Sequence, residues 1–332
     1  AVFYFESTFL NPARYNLFGI GRYHINRRLK RNSQSLFLEK EDLLETIKEI
    51  IRLNNDPNSE EDEVDALYNR RVRDLGELLE NQARIGMVRL KKDIQDRMSL
   101  VDRTQILAPS QIVYPRKFLN SIIEFFNTSP LSQILDQTNV LAEIEHKRKI
   151  TAGGPGGLTK ERATLEVRDV HSTHYGKICP IQTSVEGQSV GINLVKAIYS
   201  KLNEYGFLMA PYLKVIKGKI KPEIVWLTAD EEKNYVIASR CVRIDTEKNE
   251  ILDKEVESRI KGEAGLISKD KVDLIDVSPF EIFSISTSLI PFVEHDDANR
   301  AQMGTNMQKQ AVPLVKPDVP LVSTGLEEKV AH

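Results

Sequence analysis

Apolar residues recur at the spacing of an α-helix near the start of the chain. In residues 39–54 they fall at the positions that share one helical face. Glu41 and Asp42 place negative charge in the first turn, and Asp56 with Pro57 interrupts the pattern at its end. The sequence therefore predicts an amphipathic helix over 39–54, with an apolar face made of Leu43, Leu44, Ile47, Ile50 and Ile51.

A longer pattern of the same kind covers residues 66–98. It predicts one long helix, or two helices broken near Gly76 or Gly86. Between these two helical regions, the acidic run at 60–63 is typical of a solvated loop. The stripe that we expect this second region to bury consists of Val72, Leu75, Leu79, Ile85, Val88 and Met98.

Four shorter helices are predicted further along the chain. Pro115 suits the first turn of a helix with its apolar face at 118–126. The other segments are Leu131–Thr138, Gly191–Asn203 and a last helix that carries Arg300 to Gln310, which Asp296 or Asp297 can cap.

The pattern becomes typical of β-strands from Tyr212 onward. Segments such as YLKVIKGKIK, EIVWL, NYVIASRCVRI and DKVDLIDV cluster or alternate β-branched residues, and KGK and TEKNE supply turns between them. The segment ISTSLIPF, Ile285–Phe292, is predicted to form an apolar strand or a buried turn. Together with the helices, these segments predict an α+β protein with more than one domain.

Composition adds limits to this picture. The 332 residues suffice for two or three domains, and 41% apolar with 28% charged residues is ordinary for a globular protein. The two cysteines are far apart, which argues against a disulfide framework or a zinc knuckle. No apolar run is long enough to predict a membrane span. The chain starts without Met, and we expect it to be a piece of a longer polypeptide.

The stretch from His146 to Gly187 concentrates the candidate chemistry. Between Lys147 and Lys177 there are seven Lys or Arg residues and only three acidic residues, although the net charge of the chain is −2. Its glycine-rich segment at 153–157 is either a structural turn or a loop that approaches phosphates or bases closely. It is not a phosphate-binding loop of the Walker type, because no Gly-Lys-Ser/Thr follows it. The run Glu294–Asp297 predicts no metal site, because consecutive residues on a turn rarely all reach one ion.

The order of the residues carries a family resemblance. The stretch HKRKITAGGPGGLTKERATLEVRDVHSTHYGKICPI closely resembles the fork region of the β, or second-largest, subunit of bacterial and plastid multisubunit RNA polymerases. Further blocks resemble the same family in the same order: VRDLGELLENQARIGMVRL, LSQILDQTNVLAEI, NEYGFLMAPY and SLIPFVEHDDANRAQMGTNMQKQAVPL. The resemblance implies four regions: the largely helical end of a lobe domain (1–112), a fork region (113–190), a β-rich external domain (191–260) and the start of a hybrid-binding domain (261–332).

The resemblance also implies a function. It predicts a part of a nucleotidyltransferase that positions template DNA, the RNA–DNA hybrid and incoming nucleoside triphosphates during DNA-templated RNA synthesis. Mg²⁺ ions held by carboxylates of the β′ subunit do the chemistry in such enzymes, so this chain holds no catalytic or metal-binding residue and is inactive alone. The expected partners are the β′ and α subunits, a sigma factor, DNA and nascent RNA, in the bacterial cytoplasm at the nucleoid or in the plastid stroma, with no membrane contact.

Three sets of residues match the family's functional positions. The first set, close to the nucleotide and the RNA, is Arg300, Asn306, Lys309 and Gln310. The second set, along the fork and the wall of the hybrid, is Arg148, Lys149, Lys160, Arg162 and Arg168. The third set, equivalent to the rifamycin pocket, is Gln133, Asp136, His146, Arg148 and Thr151.

The chain also departs from the family pattern. Where members usually read CPIETPEGxNIGL, it has Gln182 in place of a carboxylate and one additional residue in the Ser184-Val185 segment. Lys149 replaces an arginine, which keeps the charge but loses the bidentate fork. Gly153 replaces a larger apolar residue, so we expect weakened rifamycin binding. Two other classes remain open: a non-catalytic nucleic-acid-binding structural module, and an unrelated phosphotransferase that uses the glycine-rich loop.

Overall fold

The computed structural model describes residues 2–57, 59, 62–100, 108–184, 187–245 and 247–331, without the side chains of Lys160 and Ala331. Half of the acidic run at 60–63 and the pair at 185–186 therefore lie outside the described residues. The chain divides into one unit that ends at Val64 and a second unit that begins at Asp65. No helix in the described ranges is both long enough and apolar enough to cross a membrane.

The first unit is helical, with α1 at Val2–Phe9, α2 at Phe18–Leu29 and α3 at Lys40–Asn55. Helix α3 confirms the amphipathic helix predicted over 39–54. It begins with a capping box, in which Glu39 and Asp42 each accept the backbone N–H of the other. The predicted apolar face is not buried within this unit, because Leu44, Ile47, Ile50 and Ile51 are all more than half exposed.

A buried ion pair holds the first unit together instead. Asp42 is 1% exposed, and its Oδ1 lies 2.8 Å from Nη1 of Arg22 and 2.5 Å from Nη1 of Arg31. Burial acts to raise the pKa of the Asp42 carboxyl, but hydrogen bonds from Arg22 and the Glu39 amide outweigh it and leave that pKa lowered. Arg22 also donates to the carbonyl groups of Ser35 and Phe37, so each nitrogen of its guanidinium group has a partner inside the unit.

The second unit contains the remaining helices. Residues 65–70 form turns that bury Ala66, Leu67 and Tyr68 in a core with Ile178 and Leu208. The predicted helix over 66–98 therefore begins later, at Leu75. The helices are α4 Leu75–Leu100, α5 Pro109–Ile112, α6 Arg116–Thr128, α7 Val140–His146, α8 Leu165–Arg168, α9 Ala229–Glu232, α10 Ile285–Ser288, α11 Ala298–Gln310 and α12 Glu327–Ala331.

Helix α4 packs closely against α6 around Gly86. Gly86 is the buried residue of α4, and a Cβ there would lie 3.0 Å from Cδ2 of Phe118 and 3.1 Å from its carbonyl oxygen. Gly86 is thus a contact point rather than a helix break. The stripe predicted to be buried is largely exposed, as Leu75, Ile85, Val88 and Met98 show. The small residue, not the large ones, decides which face of α4 meets its neighbour.

A three-stranded antiparallel sheet is formed within residues 149–196. It consists of β1 Lys149–Thr151, β2 Ile178–Thr183 and β3 Asn193–Lys196, in the order β1-β3-β2. The predicted helix over 191–203 is wrong, since β3 and β4 (Lys201–Leu202) occupy it. Gly191 has φ of 72° in the left-handed region, and a Cβ there would lie 2.4 Å from the carbonyl oxygen of Arg168. This backbone cannot begin a right-handed helix.

A nine-stranded mixed sheet forms the β-rich part, and the α+β class is confirmed. Its strands run in the order β11-β10-β7-β12-β5-β6-β9-β8, with β4 pairing beside β5. All pairs are antiparallel except β12 with β7. In addition to β4, the strands are β5 Leu208–Ile216, β6 Lys219–Thr228, β7 Val236–Ala238, β8 Ile244–Asp245, β9 Glu250–Ile251, β10 Glu255–Ile260, β11 Glu263–Ser268 and β12 Leu274–Asp276.

The sequence predicted one of the two-residue turns of this sheet. Strands β5 and β6 are joined by Lys217 and Gly218, with φ of 50° and 74°. Ile216 pairs with Lys219 on either side of this turn. A two-residue hairpin turn of type I′ needs left-handed backbone at both central positions, which glycine at the second one favours.

Charged residues are buried where the residues before β2 meet the large sheet. Lys177 is fully buried and forms an ion pair with Glu232, whose Oε1 also accepts the Tyr212 hydroxyl at 2.8 Å. Close by, Arg259 forms a bidentate ion pair with Asp276, at 2.9 and 3.1 Å. Lys177 and Arg259 each have an opposite charge within contact, as the cost of desolvation requires.

Candidate nucleic-acid interface

Helix α7 starts the candidate site, and Asn139 fixes its position. The Asn139 Oδ1 accepts the Ala142 N–H at 2.7 Å and caps α7. Its Nδ2 donates to the carbonyl groups of Gln308, Lys309 and Ala311, at 3.0, 3.2 and 2.9 Å. One side chain therefore satisfies the start of α7 and the end of α11, and so ties two of the predicted functional segments together.

The residues before α7 are irregular, so the short helix predicted over 131–138 is wrong. The Asp136 carboxylate accepts the backbone N–H and the hydroxyl of Thr138, at 3.1 and 2.7 Å. These bonds from Thr138 are the main reason why the pKa of Asp136 is lowered. A side chain that bonds its own backbone two residues on stabilises a turn and competes with helix.

His146 contacts two other residues of the predicted rifamycin set. Its Nδ1 accepts the Asp136 N–H at 3.0 Å, and its Nε2 lies 2.8 Å from Oε1 of Gln133. Because Nδ1 accepts, the imidazole is neutral and Nε2 donates to Gln133. Burial and the charge of Lys149 lower the pKa of His146, while Asp136 acts in the opposite direction. The pattern of bonds and the pKa direction agree on the neutral form.

Glu145 forms a buried junction next to His146. Its side chain is 0% exposed. One carboxylate oxygen accepts the Ser286 N–H at 2.9 Å, and the other accepts Nε2 of Gln182 at 2.5 Å. Nζ of Lys309 lies 3.4 Å from this second oxygen. Glu145 therefore links α7, β2, α10 and α11 in one polar cluster.

Lys309 is where the first and third predicted sets meet. Its side chain is 16% exposed, and burial lowers its pKa, which Glu145 acts to raise. The charges of Lys149 and Asp136 also act on this ammonium group. Residues expected at the RNA, at the wall of the hybrid and at the rifamycin pocket thus lie within electrostatic range of one another.

Two arginines of the second set bind backbone rather than pointing outward. Arg148 donates to the carbonyl groups of Ala197 and Ile198, and burial lowers its pKa. Arg168 donates to the carbonyl groups of Gln188 and Val190, at 2.7 and 2.8 Å. Both guanidinium groups hold the loops around β3 in place.

The glycine-rich segment is a compact turn. The Gly157 and Leu158 N–H groups donate back to the carbonyl groups of Gly154 and Ala152, and Arg73 donates to the Pro155 carbonyl at 2.6 Å. A Cβ on Gly157 would lie 2.4 Å from the Ala152 oxygen. These contacts favour the structural turn over a phosphate cradle, because the loop's own backbone and a cation of the chain already occupy it.

The other predicted residues lie at or near the surface. Lys149, Arg162, Arg300 and Gln310 are exposed, Asn306 is half-buried, and the Lys160 side chain lies outside the described part. Nη1 of Arg300 contacts Sδ of Met303 at 3.7 Å, one turn further along α11. Asp297 is the residue that caps α11, where it accepts the Asn299 N–H at 3.3 Å. Thr151 donates to Oδ1 of Asn193 at 2.8 Å, across β1 and β3.

Buried hydroxyl groups connect α10 with the buried side of α11. Thr287 Oγ1 lies 3.0 Å from Ser284 Oγ, 3.1 Å from Thr305 Oγ1 and 3.8 Å from Cys179 Sγ. Because Ser284–Ser288 forms this buried turn and the short helix α10, the strand alternative for it is wrong. Gln302 adds a bond from α11 to the Thr183 carbonyl at 3.0 Å.

Metal ligation is not a property of this cluster. Among the described residues, no group of three or more His, Cys, Asp and Glu side chains is placed to hold a metal ion. The buried carboxylate of this cluster, that of Glu145, is already bonded to an amide, a backbone N–H and an ammonium group.

Three family models match successive parts of the chain. Residues 4–73 match RNA polymerase Rpb2, domain 2, and residues 133–201 match RNA polymerase Rpb2, domain 3. Residues 212–278 match the RNA polymerase beta subunit external 1 domain, and this range contains most of the nine-stranded sheet described above. The class of protein is thus the second-largest subunit of a multisubunit RNA polymerase.

Curated relatives agree over almost the full length of the chain. The chain is 48% identical over 330 residues to the DNA-directed RNA polymerase subunit beta of Caulobacter sp. (strain K31), and 47% identical to that of Caulobacter vibrioides (strain NA1000 / CB15N). These alignments cover 99% of the chain and 24% of each relative. The chain belongs to the β-subunit family of DNA-directed RNA polymerases, and it spans about a quarter of the length of these relatives.

Proposed function

We propose that this chain forms part of the wall along which a DNA-directed RNA polymerase holds template, transcript and incoming nucleotide. The observation that carries the proposal is the junction of α7, β1 and α11, where Lys149 and Lys309 lie close together beside the turn of Gln133, Asp136 and His146. Two cations at one edge suit a polyanion, and the carbonyl bonds of Asn139 hold that edge rigid.

Helix α11 is the nucleotide-facing element in this proposal. Arg300 is exposed and, within the described part of the chain, its guanidinium contacts no carboxylate. A guanidinium offers a fork of donors that matches phosphate oxygens, so Arg300 binds the triphosphate of the incoming nucleotide. Asn306, Lys309 and Gln310 lie further along α11 and contact the RNA 3′ end or the backbone of the hybrid.

The fork residues divide into two roles. Lys149 and Arg162 are exposed, and together with Lys160 they contact the nucleic-acid backbone. Arg148 and Arg168 bind carbonyl groups and shape the loops that present those cations. This division explains why a basic stretch needs more arginines than those that reach a ligand.

The bond-forming chemistry belongs to a neighbouring subunit in this proposal. Nucleotidyl transfer by two metal ions requires carboxylates that converge on Mg²⁺, which the described residues of this chain do not provide. We infer that the β′ subunit holds the Mg²⁺ ions and that the assembly includes α subunits and a sigma factor, in the bacterial cytoplasm. This chain contributes binding, orientation and charge.

The proposal is tested by substituting Arg300 in the full-length subunit of the assembled polymerase. We expect R300A to raise the KM for nucleoside triphosphates about tenfold or more, and R300K to recover only part of the loss because the fork is missing. K221A removes an exposed cation on β6 and serves as the matched control. An unchanged KM in R300A would refute the role of α11.

A second assay separates the polymerase from the phosphotransferase alternative. The isolated chain, incubated with template, primer, nucleotides and Mg²⁺, is expected to extend no RNA. Robust extension would contradict the proposed division of labour between subunits. Nucleotide turnover by the chain alone would favour a phosphotransferase, whereas co-purification with a β′-like subunit supports the polymerase assembly.

A further inference from the structure

Position 182 combines an unusual residue with an unusual contact. Gln182 occupies a place where the family pattern has a carboxylate, and its side chain is 2% exposed. Its Nε2 donates to Oε2 of Glu145 at 2.5 Å, while its Oε1 is buried with no hydrogen-bond partner in the part of the chain that is described. The amide is used as a donor on one side only.

A carboxylate at position 182 is incompatible with an ionised Glu145 in this geometry. With the same side-chain conformation, two carboxylate oxygens would lie about 2.5 Å apart in a site that water does not reach. Two like charges at that separation cannot both remain ionised. The pocket therefore accommodates one buried carboxylate, which can be provided from α7 or from β2 but not from both.

The single carboxylate is the partner of the Lys309 ammonium group. Lys309 is largely buried, and its Nζ lies 3.4 Å from Oε2 of Glu145. Without an anion at this distance, burial favours the neutral amine. The Ser286 N–H and the Gln182 amide hold the carboxylate in place on its other sides. The arrangement keeps Lys309 charged and fixes the direction of its side chain.

We propose that Glu145 is the positioning residue that keeps Lys309 charged at the nucleic-acid wall, that it provides from α7 the carboxylate that the family pattern places at position 182, and that Gln182 is the compensating amide. The contact between Lys309 and RNA rests on the proposed function. The relocation of the carboxylate rests only on the side-chain geometry.

The test is an exchange of the two residues in the full-length subunit of the assembled polymerase. The variants are E145Q, Q182E and the double swap E145Q/Q182E. The measurement is the dissociation rate of a stalled complex of RNA, DNA and enzyme, as a function of pH. The control is E143Q, two residues earlier on α7, where Glu143 forms an exposed ion pair with Lys147 at 3.0 Å.

We expect E145Q to accelerate dissociation about tenfold, because Lys309 loses its counter-charge. The alkaline limb of the pH profile of the dissociation rate shifts to lower pH in E145Q, since without the carboxylate the Lys309 ammonium group loses its proton at a lower pH. A loss of packing alone would not move that limb. Q182E is expected to be impaired by the confronting carboxylates, and the double swap to recover both the rate and the pH profile to within about twofold of the unchanged enzyme.

Two outcomes would overturn the inference. One is an E145Q enzyme with an unchanged alkaline limb, which is informative even if Q182E does not assemble. The other is a double swap that is as defective as E145Q alone. If the unchanged assembly makes no RNA, the proposed function fails instead. A double-mutant cycle in the thermal unfolding of the subunit then still tests the relocation, with recovery in the double swap as the supporting result.

Discussion

His174 is an imidazole that serves as a neutral core residue. The side chain is 7% exposed, and its ring centroid lies 6.1 Å from that of His171. Burial, followed by the charges of His171, Arg70 and Lys177, lowers the pKa of His174 to about 4. The folded chain therefore keeps this ring neutral at pH values where the unfolded chain binds a proton.

The sign of the resulting pH dependence follows from that lowered pKa. Above pH 6.5 the ring is neutral in both states, and stability is unaffected by it. Between pH 6.5 and about 4 only the unfolded state gains the proton, so the free energy of unfolding falls by up to about 3 kcal/mol. We expect H174Q to flatten this decline in denaturant titrations. H295Q changes a ring that is 77% exposed and is the control; an equal effect of both variants would contradict the assignment.

Asn139 caps α7 and also bonds the end of α11. N139A is expected to destabilise the chain by about 2 kcal/mol, because it loses the bond to Ala142 and the bonds to the end of α11. N139D keeps the capping oxygen but places a carboxylate oxygen against three carbonyl groups. Thermal unfolding of both variants separates the two contributions, and we expect N139D to be at least as unstable as N139A. Near-native stability of N139D would mean that the bridge to α11 contributes little.

At the scale of elements, the close packing of α4 against α6 depends on glycine, which has no side chain, at position 86. G86A places a Cβ within 3.0–3.1 Å of Phe118, and so it forces the two helices apart at an expected cost of about 1–3 kcal/mol. G76A is the matched control in the same helix, because its Cβ meets only the Asp74 carboxylate at 3.5–3.7 Å. Better helix propensity makes G76A neutral or stabilising by up to about 1 kcal/mol. Equal effects on the unfolding midpoint would show that the crossing is not tight.

The elements predicted correctly are those that local pattern decides. Helices α3, α6 and α11 follow from apolar spacing and caps, and the hairpin at Lys217–Gly218 follows from turn chemistry. The segment at 191–203 has helical spacing too, but β3 is a strand because β1 and β2 pair with it from distant parts of the chain. Local periodicity contains no information about such a partner.

The same limit applies to the site. Family resemblance found Gln133, Asp136 and His146, which the structure brings together. Asn139 could have been found, since Asn before VLAEIEH is a capping signal. Glu145 could not, because its task exists only where α11 brings Lys309 to α7. A buried polar junction is defined by tertiary contacts, and composition or spacing does not indicate it.

Over the whole molecule, some arginines bond groups of the chain itself and others are exposed, and the net charge does not distinguish the two. Arg22, Arg148 and Arg168 donate to backbone carbonyl groups, and Arg259 pairs with a buried carboxylate. These cations stabilise loops and are not available to a ligand. Local charge density in the sequence therefore overstates how much positive surface the chain presents, and the proposed interface depends mainly on the exposed side chains of β1 and α11.

The shape of the wall, rather than its charge, governs the last prediction, which concerns rifamycin. Gln133, Asp136 and His146 keep the polar side of the expected pocket, but Gly153 leaves out an apolar contact. We expect the assembled polymerase to bind rifamycin more weakly than a nanomolar dissociation constant. A Cβ on Gly153 would meet its nearest neighbours at 3.6–3.8 Å, which is ordinary contact, so the site accepts a side chain.

Restoring that side chain should therefore restore affinity. G153L adds one buried leucine to the pocket, and we expect it to tighten rifamycin binding about tenfold or more, measured by titration of the assembled enzyme. G265L makes the same change on β11, where a Cβ has open space, and should leave binding unaltered. A nanomolar dissociation constant for the unchanged enzyme would contradict the prediction. So would a G153L enzyme that binds no better, because the missing contact would then not be the cause of weak binding.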